Sequence, residues 1–151
     1  MRFSAKADYA IRVLLELAAN TSRPITCEAV ASTQDIPPRF IKAVLRDLRQ
    51  AGLVRSQRGC EGGYWLARDA ALITVLDAVT AVDGEHLSVR GEARPALDYH
   101  GTATHLAGLW ADVQAQLDQV LGARTIAHLL TGPERAQRRV PFREGPHEQA
   151  G

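Results

Sequence analysis

Arg39, Lys42, Arg46 and Arg49 recur at i, i+3, i+7 and i+10, and Asp47 is the single acid set among them. On a helix this spacing brings all four cations to one face. Their chemistry there is the recognition of anions and guanine edges, because a guanidinium forks onto phosphate oxygens or onto guanine O6 and N7. Phe40, Ile41, Val44, Leu45 and Leu48 supply the apolar set of the same segment. Alone, that pairing describes the solvated and buried sides of any amphipathic helix. The surroundings decide what it means.

The other reactive side chains are sparse. Cys60 sits beside Arg58 in the run Arg58-Gly59-Cys60-Glu61-Gly62-Gly63, where nearby positive charge favours the thiolate, so it is a candidate redox position as well as a small residue that a loop tolerates. Cys27 stands at the start of a short helical segment and is expected to be buried as a small hydrophobe. Two cysteines make no disulfide framework, and neither belongs to a CxxC or to a structural-zinc spacing. His86, His100 and His105 fall in or near a segment, Glu85 to Gly101, that holds no cysteine. Loop histidines are more often solvated than ligating, and no metal site is assigned. No Gly-rich phosphate loop, nucleophile elbow or HExxH is present, so no catalytic residues are assigned and an enzyme is not expected.

The elements that must position the cations can be read from caps and periods. Ser4 can cap a helix to about Asn20, whose buried stripe is Ala10, Val13, Leu14, Leu17 and Ala18. Thr26 opens a short helix, Cys27 to about Thr33, with Ala29 and Val30 inward. After the turn Gln34-Asp35-Ile36, Pro38 suits the first position of a third helix, which carries the four cations to Ala51 and stops at Gly52. Leu53 to Gln57 and Tyr64 to Ala67 read as two strands around the glycine-rich run. Three helices and a basic hairpin make a winged helix-turn-helix, in which the third helix enters the major groove and the hairpin meets the flanking backbone or minor groove.

Thr74 and Asp77 form a capping box for a fourth helix with Leu76, Val79, Ala81 and Val82 as its apolar residues, ending at Gly84. Residues 85–101 are polar and aperiodic. A long helix from about Thr102 to Leu121 carries Leu106, Leu109, Trp110, Val113, Leu117, Val120 and Leu121 on one stripe. A small winged domain has little core to offer it, so packing against the same helix of a second chain is the expected solution, making a homodimer. Thr125 to Leu130 is a last short helix, and the rest reads as a disordered tail. The expected division is 1–84 for DNA binding, 85–101 as a loop, 102–132 for dimerisation and 133–151 as tail.

Composition agrees with this plan. The 151 residues are 46% hydrophobic and 23% charged, the balance of a globular domain. No uncharged stretch reaches the 18 residues or so that a bilayer span needs, and no secretory-signal core can be drawn, so a cytoplasmic protein is expected. Net charge is segregated: residues 1–70 hold 11 Lys and Arg against 7 Asp and Glu, whereas 71–132 hold 3 against 7. The basic half is placed to face a polyanion and the acidic half to self-associate. The excess of Arg over Lys, 16 to 2, runs into the tail and reflects base composition first.

Met1-Arg2-Phe3-Ser4 with Tyr9-Ala10, Ile36-Pro37, Leu48 to Gly52-Leu53-Val54, Arg58-Gly59 with Gly62-Gly63-Tyr64, and Ile73-Thr74-Val75-Leu76-Asp77 closing at Val82-Asp83-Gly84 resemble the Rrf2-type (IscR/NsrR/CymR-like) bacterial transcription regulators over about residues 1–132. The resemblance implies a mainly α winged helix-turn-helix with a small β-hairpin and a long dimerisation helix. It also implies a homodimer on a palindromic operator in double-stranded DNA, with a repressor as the expected role. Carried over, it places Arg2 and Ser4 near phosphate, Pro38, Arg39 and Lys42 at the head of the recognition helix, and Arg58 and Gly59 at the wing. With Arg46, Arg49 and Gly62 these form the expected DNA-facing set. Cluster-holding relatives carry three cysteines where 85–101 has none, and Asp8 lies where some relatives supply a carboxylate. The expectation is a clusterless member without an iron–sulfur cofactor. The alternative, a winged-helix adaptor that binds proteins without specific DNA recognition, fits the cationic third helix poorly, because a protein-docking face favours aromatic anchors.

Overall fold

Ser4 starts the fold: its Oγ accepts from the Ala7 N–H at 3.0 Å and caps α1, Ala5–Ala19. The computed structural model describes residues 3–84 and 98–132, with the backbone of 88–89 and 92–93 between them. Arg2, His86 and the tail from 133 lie outside the described residues. Ala7, Ala10, Val13, Leu14, Leu17 and Ala18 form the buried stripe of α1. Thr26 caps α2, Cys27–Gln34, and Asp35 ends it in the left-handed region at φ 53°. Here Cys27, Val30 and Ala31 are buried. Ala29, expected inward, is exposed, because it lies about 100° around the helix from Val30.

Helix α3, Pro38–Gln50, has proline in its first turn and buries Ile41, Val44, Leu45 and Leu48. Phe40, expected in that core set, is 41% exposed. It sits on the flank of the helix and lies against Tyr9 of α1 instead, ring centroids 6.1 Å apart. The hairpin pairs β1, Val54–Gln57, with β2, Gly63–Leu66, antiparallel and in register Val54↔Leu66 through Gln57↔Gly63. Ile25 adds a rung on the other edge of β2 by exchanging backbone bonds with Tyr64 at 3.0 and 2.8 Å. That close approach dictates Gly63: its φ is +151°, and a Cβ there would lie 2.7 Å from the Ile25 carbonyl oxygen.

A 3-10 turn, Ala70–Leu72, leads to α4, Val75–Asp83, whose Thr74–Asp77 capping box is formed in both directions. Val75, Ala78 and Val79 are its buried residues. The segment read as aperiodic contains a two-residue hairpin, β3, Ser88–Val89, with β4, Glu92–Ala93. Helix α5, Leu106–Gly122, starts later than expected because Gly101–Ala103 forms a separate 3-10 turn, with Gly101 at φ +61°. No residue of α5 is buried in the protomer. Helix α6, Ile126–Thr131, returns to the core: Ile126 is fully buried and its N–H donates to Ile73 O at 2.9 Å. Among the described residues no helix is long and apolar enough to cross a membrane.

Candidate nucleic-acid interface

The apolar face of α3 is locked into the core, and that rotation fixes where its cations go. Arg39, Lys42, Arg46 and Arg49 are all exposed on the opposite side. Among the described residues Arg39 and Lys42 have no carboxylate partner. The Arg39 guanidinium lies 4.7 Å above the Phe40 ring, which Tyr9 backs in turn, so one cation–π contact and one aromatic pair restrict its orientation. Arg46 approaches Asp47 at 3.5 Å but stays 67% exposed. Arg49 Nη1 donates to Ser56 Oγ at 3.2 Å, tying the end of α3 to the hairpin.

Asp47 would cancel part of this positive field were it not neutralised from behind. The Lys6 ammonium of α1 donates to its carboxylate, and this bond, aided by Arg46 and opposed by burial, holds the Asp47 carboxyl below the ordinary carboxylate range. The sign follows from linkage: a lowered folded-state pKa contributes stability above the unfolded value, about 3.9, and loses it as pH falls through the folded value. Asp47→Asn is therefore expected to lower stability at neutral pH and to approach the parent in acid, as read from urea midpoints across the acidic range. An equal deficit at every pH would assign the loss to packing.

At the hairpin tip Arg58 and Cys60 are exposed, and Gly59 takes φ +108° while Gly62 N donates back to its carbonyl at 2.9 Å. A Cβ on Gly62 would lie 2.7 Å from Gln57 O, so this glycine closes the turn and offers no side chain to a ligand. The Ser4 hydroxyl is engaged on both sides within the protomer: it caps α1 and donates to Asp83 Oδ1 at 2.5 Å. What it holds within the protomer is α4. Cys27 is a core thiol, its Sγ 3.6 Å from Pro38 O, and burial, with Glu28, raises its pKa despite Lys42. His100 and His105 are exposed, and among the described residues no three His, Cys, Asp or Glu side chains gather as a metal site.

On α5 the expected seam residues line up along one side. Leu109 and Val120 are 52% and 60% exposed. Asp112, Val113, Gln116, Leu117 and Val120 border an open groove of about 320 Å³. Leu106 and Trp110 are half-buried, with Trp110 Nε1 donating to the Tyr99 hydroxyl at 2.9 Å.

An exposed cationic helix held in front of a three-helix core, with a basic hairpin beside it, defines a winged helix-turn-helix protein. The family described as "Rrf2: Iron-dependent Transcriptional regulator" matches residues 3–132. An HTH-type transcriptional regulator of Mycobacterium tuberculosis is 40% identical over 133 residues, 87% of this chain and 83% of its own length. IscR of Escherichia coli is 30% identical over 135 residues, 89% and 83% of the two chains. Among solved structures, CymR of B. subtilis superposes with a TM-score of 0.71 at 26% identity, covering 87% of this chain and 97% of CymR. T. potens IscR gives 0.71 at 28%, covering 91% of each chain. The chain belongs to the Rrf2 family. It is a DNA-binding transcription regulator.

Proposed function

We propose that the protein acts as a homodimeric repressor on a palindromic operator, with α3 in the major groove and the Arg58 wing on the adjacent backbone. The observation that carries this reading is the exposed row Arg39, Lys42, Arg46 and Arg49 on a helix whose other face is fully buried. Arg39 and Lys42, nearest the N-terminal end, are placed to read base edges, and Arg46, Arg49 and Arg58 to hold phosphates. The unburied stripe Leu106, Leu109, Trp110, Val113, Leu117 and Val120 supports dimerisation through α5. Nothing in this arrangement calls for catalysis.

We further propose that DNA binding needs no iron–sulfur cluster. The family's description names iron, but the donor set here does not fit a cluster. The chain has two cysteines, one buried against Pro38 and one at the wing, and none in 85–101. Clusters are held chiefly by thiolates.

The test is fluorescence anisotropy with chelator-treated protein on genomic fragments, beginning with the gene's own upstream region. Binding to the best site is expected to exceed that to random duplex by about 10³ or more, with a steep salt dependence of roughly −0.9 per neutralised phosphate. Arg58→Ala should weaken binding and flatten that slope by about one phosphate. A preference within about tenfold of random duplex defeats the operator reading. Brown protein from anaerobic purification, with operator binding that requires iron, defeats the clusterless one.

A further inference from the structure

β1 has two faces, and only one is used by the recognition helix. Val54 is buried in the core and Ser56 accepts from Arg49 of α3. By strand alternation Arg55 points the other way, beside its cross-strand partner Trp65, its guanidinium 5.5 Å from the indole centroid. Trp65 Nε1 donates to Gln57 Oε1 at 3.1 Å, which fixes the ring. Next to this pair an open cavity of about 420 Å³ lies between the hairpin and the C-terminal end of α1, lined also by Leu17, Ala18, Leu66, Arg68 and Asp69.

We propose that this cavity binds a small aromatic monoanion, an arene carboxylate being the simplest. Its volume is that of a small-ligand site. Arg55 and Arg68 have no carboxylate partner among the described residues. The one carboxylate in the lining, Asp69, accepts from Ala71 N at 2.8 Å and caps the 3-10 turn. Two guanidiniums against one carboxylate leave a single positive charge, which matches one negative charge on the ligand. The forks suit a planar carboxylate, and an indole held by Gln57 together with Leu17, Ala18 and Leu66 in the lining suits a ring. The lining comes from α1, the hairpin and the turn that follows it, and includes no residue of α3 among the described residues.

Benzoate is the probe, titrated into full-length ¹⁵N-labelled protein while the indole N–H signals of Trp65 and Trp110 are followed. The expected result is a saturable shift of Trp65 alone, with a Kd of about 1 mM or tighter. Arg55→Ala with Arg68→Ala should weaken it at least about tenfold, as should replacing benzoate by uncharged benzamide, each tenfold being about 1.4 kcal/mol. The proposal is overturned if Trp65 does not saturate by about 10 mM, if benzamide binds as well, or if the double variant responds like the parent. The benzamide comparison decides the matter even if the double variant does not fold. The operator salt slope of the double variant distinguishes the remaining source of negative charge: an unchanged slope is expected, and one shallower by about 1–2 would assign these arginines to DNA phosphate instead.

Discussion

The chain carrying Leu109→Asp and Val113→Asp together is expected to sediment as a monomer and to bind the operator at least about a hundredfold more weakly than the parent. Leu109 is 52% exposed in the protomer, and Val113 borders the open groove with Leu117 and Val120. Neither belongs to the protomer's core, so the isolated fold should survive, with an unchanged far-UV circular dichroism spectrum. Across a closed seam each aspartate would be a buried, unpartnered charge, and such a loss runs to about 3 kcal/mol or more. At about 1.4 kcal/mol per tenfold, one such charge already separates the subunits by about a hundredfold in dissociation constant. A double variant that still sediments as a dimer would place the interface on another surface.

Gly63→Ala should be the most damaging single methyl group in the wing. At φ +151° an alanine is strained, and its Cβ would meet backbone atoms of Ile25 at 2.7 and 2.8 Å, which no side-chain rotation relieves. Strain of roughly 1–3 kcal/mol and overlap of similar size predict a loss of about 3 kcal/mol in urea unfolding. Gly59→Ala is the control. It shares a positive φ, +108°, but has open space around its Cβ, so it should lose only the strain. Equal losses for the two variants would mean that the Ile25 rung yields readily, and the account of Gly63 would be wrong.

What could be read from the sequence was mostly local hydrogen-bond chemistry. Ser4, Thr26 and Thr74 with Asp77 mark helix starts because a side-chain oxygen three residues before a free N–H is enough to make a cap. Pro38 and Gly52 bound α3 for equally local reasons, and the core face then sets the direction of its cations. Features that depend on distant partners were not legible. Phe40 fits the apolar set of α3, but Tyr9 is what draws it to the flank. Six residues of α6 gave no sign that Ile126 would be fully buried, since its burial depends on Ile73, Thr74 and α1 meeting it. The neutralisation of Asp47 by Lys6 joins residues 41 positions apart. The short pair β3–β4 carries too few residues for a period to appear.

The way α5 ends has a mechanical consequence. Leu121 packs on Val75 and Val79 of α4, Gly122 lies 3.7 Å from Leu76, and two residues past Arg124, whose carbonyl accepts from Val75 N, Ile126 is fixed in the core. The helix is thus a cantilever clamped at its C-terminal end, with its N-terminal turns carrying no buried residue. A sideways force on its outer turns, such as the proposed second subunit would exert, has its largest bending moment at the clamp. That clamp is bonded to Ile73 and Val75 at the start of α4, and the other end of α4 is bonded through Asp83 to Ser4 at the first turn of α1.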